Sequence, residues 1–200
     1  MKIYILLTRP TTIVSSAIQR ATRDEFTHIS MAFNKELSPL YSFSRKYAPT
    51  PLPAGMTTEA IEMGFYKDRG FINCALYQLE VPEQVYNEAR AITEGMYKNS
   101  QAYKFNILGL ALCRLNIPLD RDKHYFCSQF VSHVLVESSA IELSKPTGLI
   151  RPADFMVMPE FKLIFQGNLT SLARYLASEN MKGFPLPGLA SEGLAINVEL

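Results

Sequence analysis

The chain has 200 residues, of which 48% are hydrophobic and 20% are charged, a balance typical of a folded globular domain with a sizeable core. Its net charge of +1, with no long basic run, gives no electrostatic reason to expect a nucleic-acid partner or an anionic membrane. No apolar run approaches the ~20 residues of a membrane span, and the run near the start (IYILL) is too short for a signal peptide, so we expect a cytoplasmic protein without a transmembrane segment.

In the first half of the chain, β-branched and aromatic residues predict strands at 2–8, 26–33 and 40–47. The turn-like segment NKELSP joins the last two as a hairpin. Between the first two strands, Thr11 or Thr12 can cap a helix that runs to about Thr22. Three prolines and a glycine predict a loop at 48–55, and the segment 56–71 is ambiguous.

In the second half, strands are predicted at 73–81 and 161–166, and helices at 106–115 and 127–138. A further helix should follow Pro82 and end near Asn99, with one apolar face formed by Val85, Ala89, Ile92 and Met96. The mixture lacks a regular βαβ order, which favours an antiparallel α+β domain over residues 1–176. Residues 177–200 lack a pattern and are expected to form a loosely structured tail.

The chain contains three cysteines, an odd number without CxxC or Cys-His ligand spacing: Cys74, Cys113 and Cys127. This pattern argues against a disulfide framework and a structural zinc site, and we expect no metal and no cofactor. Each cysteine is then either a small core residue or a reactive thiol.

Cys127 lies at the start of a predicted apolar helix whose inner face carries Phe130, Val131 and Val134. At that position, unpaired backbone N–H groups and the helix dipole would stabilise a thiolate. The same N–H groups could receive an oxyanion during acyl transfer. A core cysteine that packs like alanine fits the position equally well.

His28 lies on a predicted strand, with Ser30 and Ala32 on the same face. Such a histidine can act as a base, bind a ligand or simply lie at the surface, and the residue alone favours the last interpretation. His124 precedes Cys127 closely, but its side-chain direction is not predicted. His133 should point away from Cys127, because it lies more than half a turn around the helix.

Several segments, taken in order, resemble one family. The segment YFCSQFVSHVL resembles the cysteine helix of the permuted papain-like hydrolases, the YiiX-like branch of the NlpC-type superfamily, which is related to lecithin:retinol acyltransferase. FTHISMAF is similar to that family's histidine strand, which precedes the cysteine in this branch and follows it in papain. LYSFSRKY, AYKFNILGL and RPADF are similar to segments around these two. The resemblance spans about residues 2–167 and implies a circularly permuted papain-like fold, with the sheet packed against the cysteine helix.

The resemblance implies that Cys127 is the nucleophile and that His28 takes its proton. A polar residue on the strand after the histidine would orient the imidazole. Antiparallel pairing about the turn near Glu36 sets His28 opposite Ser44, with Ser42 on the same face. Family members more often carry an acid, an amide or a second histidine there, and a serine orients imidazole more weakly. Tyr125 would line the site or support the oxyanion, or would be a buried aromatic residue beside the helix.

The expected function is that of a cysteine hydrolase or acyltransferase that cleaves an amide, ester or thioester in a small, peptide or lipid-like substrate. The alternative is a catalytically weak or inactive papain-like module that binds a peptide or lipid, which the serines favour slightly. In a third interpretation, Cys127 is only a core residue. Arg9, Arg45 and Lys46 would form a basic rim for an anionic group, or an ordinary solvated surface.

Overall fold

A computed structural model describes residues 1–9, 24–45, 54–59 and 71–182. These residues form an α+β fold built on one six-stranded sheet, in which every pair of neighbouring strands is antiparallel. The strand order is β4-β3-β2-β1-β5-β8. Its strands are β1 (Lys2–Thr8), β2 (His28–Ala32), β3 (Leu40–Arg45), β4 (Ala54–Glu59), β5 (Asn73–Glu80) and β8 (Phe161–Asn168).

A second, two-stranded parallel sheet and four helices complete the described fold. The small sheet pairs β6 (Lys104–Phe105) with β7 (His124–Tyr125). None of the described helices is both long enough and apolar enough to cross a membrane. The helices are α1 (Glu83–Lys98), α2 (Ile107–Cys113), α3 (Cys127–Glu137) and α4 (Leu169–Lys182), and two short 3₁₀ segments lie at Thr147–Leu149 and Pro152–Met156.

The large sheet is covered on both faces. Alternate residues of β1 enter two separate apolar cores, Ile3, Ile5 and Leu7 on one side and Tyr4 and Leu6 on the other. Helices α1 and α3 supply the first core and α4 supplies the second. Because β1 is buried on both faces, its sequence is a continuous apolar run rather than an alternating one.

The antiparallel α+β prediction is confirmed, and so is the hairpin of β2 and β3. Met31 pairs with Tyr41 in this hairpin, and this register, continued along both strands, sets His28 opposite Ser44, the predicted pairing. The predicted loop at 48–55 is wrong at its end, because Ala54 and Gly55 belong to β4. Strand β4 also accounts for the first part of the ambiguous segment.

Helix α1 begins after Pro82, as predicted, but its buried face is rotated from the predicted one. Tyr86 and Thr93 are buried with Ala89 and Met96, while Val85 and Ile92 are only partly buried. Both polar side chains satisfy their hydroxyl groups with backbone carbonyls: Tyr86 donates to Phe33, and Thr93 to Ala89. A hydroxyl group that has a hydrogen-bond acceptor can be buried at little cost. The spacing of apolar residues alone therefore predicted the wrong buried face for α1.

At the C-terminal end, α4 extends across the predicted domain boundary at residue 176. Leu169, Leu172 and Leu176 recur at helical spacing and pack into the second core. The predicted tail is therefore helical up to Lys182. The remaining residues of that tail, 183–200, lie outside the described residues, as do the helix predicted to end near Thr22 and most of the predicted proline-rich loop.

A buried amide network joins α2 to α3. Asn106 is fully buried and its Oδ1 accepts from the Gly109 N–H at 3.0 Å, which caps α2. Its Nδ2 donates to the Leu119 carbonyl at 3.0 Å and to Gln129 Oε1 at 3.1 Å. Gln129 in turn donates to Asp120 Oδ1 at 2.8 Å. These bonds hold the start of α2 and the 119–120 segment against the first turn of α3.

We expect Asn106→Ala to lower the free energy of unfolding by about 3 kcal/mol, because it removes a cap and leaves Gln129 and the Leu119 carbonyl without their buried donor. Asn99→Ala is the matched control, since Asn99 caps the exposed end of α1 through a bond to the Gly95 carbonyl. Its cost should stay within about 0.5 kcal/mol. Urea unfolding curves measure both, and equal losses would contradict the importance of the network.

Candidate functional site

Cys127 is the first residue of α3, as the sequence predicted. Its side chain belongs to the first core but remains 8% exposed at the edge of that core. The following inward residues, Phe130, Val131 and Val134, are fully buried, and α3 packs on β2 and β3. The apolar face of the helix thus fixes the cysteine at the rim of the sheet.

The N-terminus of α3 is left open among the described residues. Phe126 is its N-cap, and no described side chain caps it. The polar side chains of the first turn are directed elsewhere: Ser128 donates to the Ile150 carbonyl at 2.7 Å, and Gln129 to Asp120. The first backbone N–H groups of the helix, next to the thiol, are therefore available to an anionic oxygen.

His28 is the first residue of β2, and it contacts two acid–base groups from different elements. Its Nε2 lies 3.0 Å from Glu59 Oε1 and 3.2 Å from Oε2, so the imidazole donates to this carboxylate. The Cys127 side chain also lies close enough to the ring to raise the pKa of His28. The fold thus brings together two residues that are distant along the chain, and joins them to a third that the sequence did not identify.

Glu59 is the last residue of β4, and its carboxylate is held by neighbours from two other strands, β2 and β3. Ser30 donates to Oε2 at 2.7 Å, and Ser44 is also hydrogen-bonded to the carboxylate. Only 9% of the Glu59 side chain and 13% of the His28 side chain are exposed. Little water is left to screen the charges, so the pair interacts more strongly than a surface ion pair.

The environment favours the charged form of both partners. Burial opposes charge on His28, but the Glu59 charge and the hydrogen bonds to Cys127 and Glu59 outweigh it and raise the pKa of His28 to about 10. Burial likewise opposes charge on Glu59, but the His28 charge and the hydrogen bonds from His28, Ser30 and Ser44 lower its pKa to about 2. Near neutral pH, the site therefore contains an imidazolium and a carboxylate.

The two predicted orienting serines lie in the site, but neither is the main partner of the imidazole. Ser42 is buried and donates to the Ile29 carbonyl at 2.8 Å, with its Oγ 3.4 Å from His28 Nε2. Ser44 lies opposite His28 and bonds to Glu59. The serine pairing was inferred from β3 alone, whereas the partner of Nε2 comes from β4.

Tyr125, predicted to line the site or pack beside it, lies in an aromatic cluster. Its ring packs edge-on against Phe43 at 5.5 Å, and its hydroxyl lies 3.3 Å from His133 Nε2. Burial raises the pKa of Tyr125 and lowers that of His133. His124 Nδ1 lies 2.7 Å from the Asp122 carbonyl oxygen. These contacts match the aromatic packing role more closely than an oxyanion role.

The predicted basic rim is described only in part. Arg9 is half-buried, and its backbone N–H donates to the Asn73 carbonyl at 3.0 Å. The side chain of Arg45 and the whole of Lys46 lie outside the described residues.

The other two cysteines are buried, and burial raises the pKa of Cys74 to about 12 and also raises that of Cys113. Among the described residues, no group of three or more His, Cys, Asp or Glu side chains could hold a metal ion.

Comparisons of the chain with protein-family models, with curated proteins and with solved structures found no match. The function must therefore be argued from the residues themselves. The most informative arrangement is the chain of contacts from the open end of α3 to Cys127, His28 and Glu59.

The raised pKa of His28 predicts that stability falls as pH rises from about 7 to about 10. The folded protein keeps a proton on His28 that the unfolded chain, with a pKa near 6.5, has released. Each pH unit in this window should therefore cost about 1.4 kcal/mol. We would measure urea unfolding at several pH values in the Cys127→Ala variant, which removes the proton of the thiol from the comparison. Because Cys127 is one of the groups that raise the pKa of His28, the window in this variant should end below pH 10.

Adding Glu59→Gln to that variant should remove most of this slope, because a neutral amide does not stabilise the imidazolium. On the acid side, the lowered pKa of Glu59 adds stability that is present above about pH 4.5 and is lost as pH falls towards 2. Equal slopes with and without Glu59 would show that the two charges are not coupled.

Proposed function

We propose that this protein is a cysteine hydrolase or acyltransferase that uses Cys127 as nucleophile, His28 as proton carrier and Glu59 as the residue that orients and charges His28. The observation that carries the proposal is the double contact of His28, to the Cys127 side chain and to the Glu59 carboxylate. A nucleophile, a base in hydrogen-bond contact and a third group that orients the base are the recurring parts of a thiol hydrolase.

The architecture is compatible with the resemblance to the permuted papain-like hydrolases. In the described fold, the histidine strand precedes the cysteine helix, and that helix packs on the sheet beside the histidine strand. A polar third residue, which the family carries more often as an acid, an amide or a histidine, here corresponds to Glu59. We therefore infer a circularly permuted papain-like fold, although the third residue comes from a later strand than the family pattern suggested.

The first step follows from the protonation of the pair. Because Glu59 occupies Nε2 of His28, we assign the exchange of a proton with Cys127 to Nδ1. When that proton lies on the imidazole, the sulfur is a thiolate and can attack the carbonyl carbon of an amide, ester or thioester. A C–S bond forms, and the carbonyl electron pair moves onto oxygen.

The open end of α3 would stabilise that oxyanion. The backbone N–H groups at the start of the helix lie beside the attacking sulfur and have no described side-chain cap. On collapse, the C–N, C–O or C–S bond of the substrate breaks, and His28 gives its proton to the leaving group. Water or another acceptor, deprotonated by His28, then releases the acyl group and regenerates the thiol.

The presence of Glu59 beside His28 also argues against the alternative function, an inactive binding module. That alternative drew its support from the absence of a strong orienting group beside His28. A buried carboxylate at 3.0 Å orients an imidazole and stabilises its charge far better than a serine hydroxyl does. The pair thus supports an active site over a groove that only binds.

We expect iodoacetamide at neutral pH to label Cys127 at least about tenfold faster than Cys74 and Cys113, with peptide mass spectrometry to resolve the three thiols. His28→Ala and Glu59→Gln should each slow the labelling of Cys127 by about 10- to 100-fold, since both remove support for the thiolate. An activated short-chain ester should leave an acyl adduct on Cys127 that decays in water.

Glu80→Gln is the matched control, because Glu80 is an exposed carboxylate that pairs with Lys2 at the end of β5. It should leave the labelling rate unchanged. Equally slow labelling of the three cysteines, or a rate indifferent to both His28 and Glu59, would contradict the proposal and favour a core cysteine.

A further inference from the structure

Helix α2 carries an apolar surface on its outer side. Its buried residues are small, Gly109 and Cys113, whereas Ile107, Leu108 and Ala111 are exposed. The chain after the helix adds two exposed apolar side chains, Leu115 and Ile117. We call these five exposed residues the α2 face. Leu110 and Leu112 are half-buried, so the fully buried positions of this helix are small and its most exposed ones include large apolar side chains, which is the reverse of an ordinary surface helix.

Exposed large hydrophobic side chains are concentrated in the segment 107–117. Of the nine large hydrophobic side chains that are exposed among the described residues, four lie between positions 107 and 117. Leu115 alone is 69% exposed. Single exposed apolar residues are ordinary, but a contiguous apolar group at the surface indicates a site where the protein meets another apolar phase.

Basic residues precede and follow the α2 face in the sequence. Lys104 and Lys123 are exposed and held side by side, because the Lys104 N–H donates to the Lys123 carbonyl at 2.9 Å. Arg121 is exposed nearby, across a bridge to His124. None of these three side chains forms an ion pair with a described residue.

The segment 104–124 is more positive than the chain as a whole. With Arg114 it has four basic residues and two acidic ones, Asp120 and Asp122, in a protein of net charge +1. Asp120 is already engaged, since it accepts from Gln129 at 2.8 Å. Four basic residues against two acidic ones leave this segment with a net charge of +2, so the apolar surface lies beside an excess of positive charge.

We propose that the α2 face docks on the surface of a membrane that contains anionic phospholipid. Apolar side chains on a short helix can enter the boundary between headgroups and acyl chains, while lysine and arginine at the rim meet the negative surface. A second copy of the chain is a poorer occupant, because pairing two such faces would bring two positive rims together.

Docking in this way would also place the candidate site close to the membrane. The cap of α2, Asn106, is hydrogen-bonded at 3.1 Å to Gln129, which lies in the first turn of α3 two residues after Cys127. The α2 face and the thiol are thus carried by neighbouring elements that are joined by a buried bond. The docking proposal itself depends on the surface alone and holds whether or not Cys127 is catalytic.

The test is co-sedimentation of the full chain with vesicles of phosphatidylcholine alone or with about one third phosphatidylserine. We expect binding to the anionic vesicles to be at least about tenfold tighter and to weaken as salt is added. The double variant Ile107→Glu, Leu115→Glu should reduce it at least about tenfold. Leu163→Glu is the matched control, since Leu163 is an exposed apolar residue on β8, at the far edge of the sheet from β4, and it should change little.

The charged rim is tested separately with Lys104→Glu, Lys123→Glu, which should weaken binding to anionic vesicles about as strongly. Lys162→Glu, also exposed and on β8, is its control. All substituted side chains are exposed, and circular dichroism checks that each variant folds.

Three outcomes would overturn the docking proposal: no binding to anionic vesicles, binding that is indifferent to the α2 face, or a dimer in solution that Leu115→Glu converts to a monomer. The last outcome would assign the face to a second copy of the chain. Each would leave the iodoacetamide labelling of Cys127 unaffected, so failure of docking and failure of the proposed chemistry are distinguishable.

Discussion

The site depends on one interaction, the charge-assisted hydrogen bond between His28 and Glu59. Both side chains are largely withdrawn from water, and either charge alone would be costly in that environment. Together they stabilise each other, and Ser30 and Ser44 add further support to the carboxylate. The pair fixes the orientation of the imidazole and keeps it charged beside Cys127, which is the arrangement that nucleophilic sulfur requires.

The fold explains how three distant parts of the chain come together. The hairpin of β2 and β3, extended by β4, places His28, the two serines and Glu59 in one sheet region. Helix α3 then packs its apolar face on β2 and β3, which brings its first residue, Cys127, to the same rim. The amide network of Asn106 and Gln129 secures the start of that helix and links it to α2. Packing thus positions the sulfur, and buried polar contacts position the ring.

Local pattern was enough to predict most strands and helices, the position of Cys127 at a helix start and the register that sets His28 opposite Ser44. It was not enough to find Glu59. The predicted partners lie on the strand next to His28, whereas Glu59 lies one strand further on, where the pairing register sets it opposite Leu40, several residues from Ser44. The start of β4 was also not predicted, because the prolines before it indicated a loop. The residue that orients His28 is therefore Glu59, a longer side chain from the next strand, and not one of the predicted serines. Only the tertiary structure shows that this side chain extends to the imidazole.

Local sequence pattern was also not enough to predict which residues of a helix are exposed. The apolar residues of α2 predict a helix, but periodicity alone would bury them, whereas the structure packs Gly109 and Cys113 inward and leaves the larger side chains outside. Helix α4 was not predicted, although Leu169, Leu172 and Leu176 recur at helical spacing; these three leucines are buried in the second core. In both cases, tertiary packing decides which face of a helix is covered.

The most direct test of the central interaction is a ¹⁵N NMR titration of the histidine rings in the folded protein. At about pH 8, both nitrogens of His28 should give shifts typical of imidazolium, because the pKa of this ring is raised to about 10. His133, whose pKa is lowered by burial, serves as a neutral reference in the same spectrum. In Glu59→Gln, His28 should lose its proton at a clearly lower pH. A neutral His28 ring at pH 8 in the unmodified protein would contradict this account of the site.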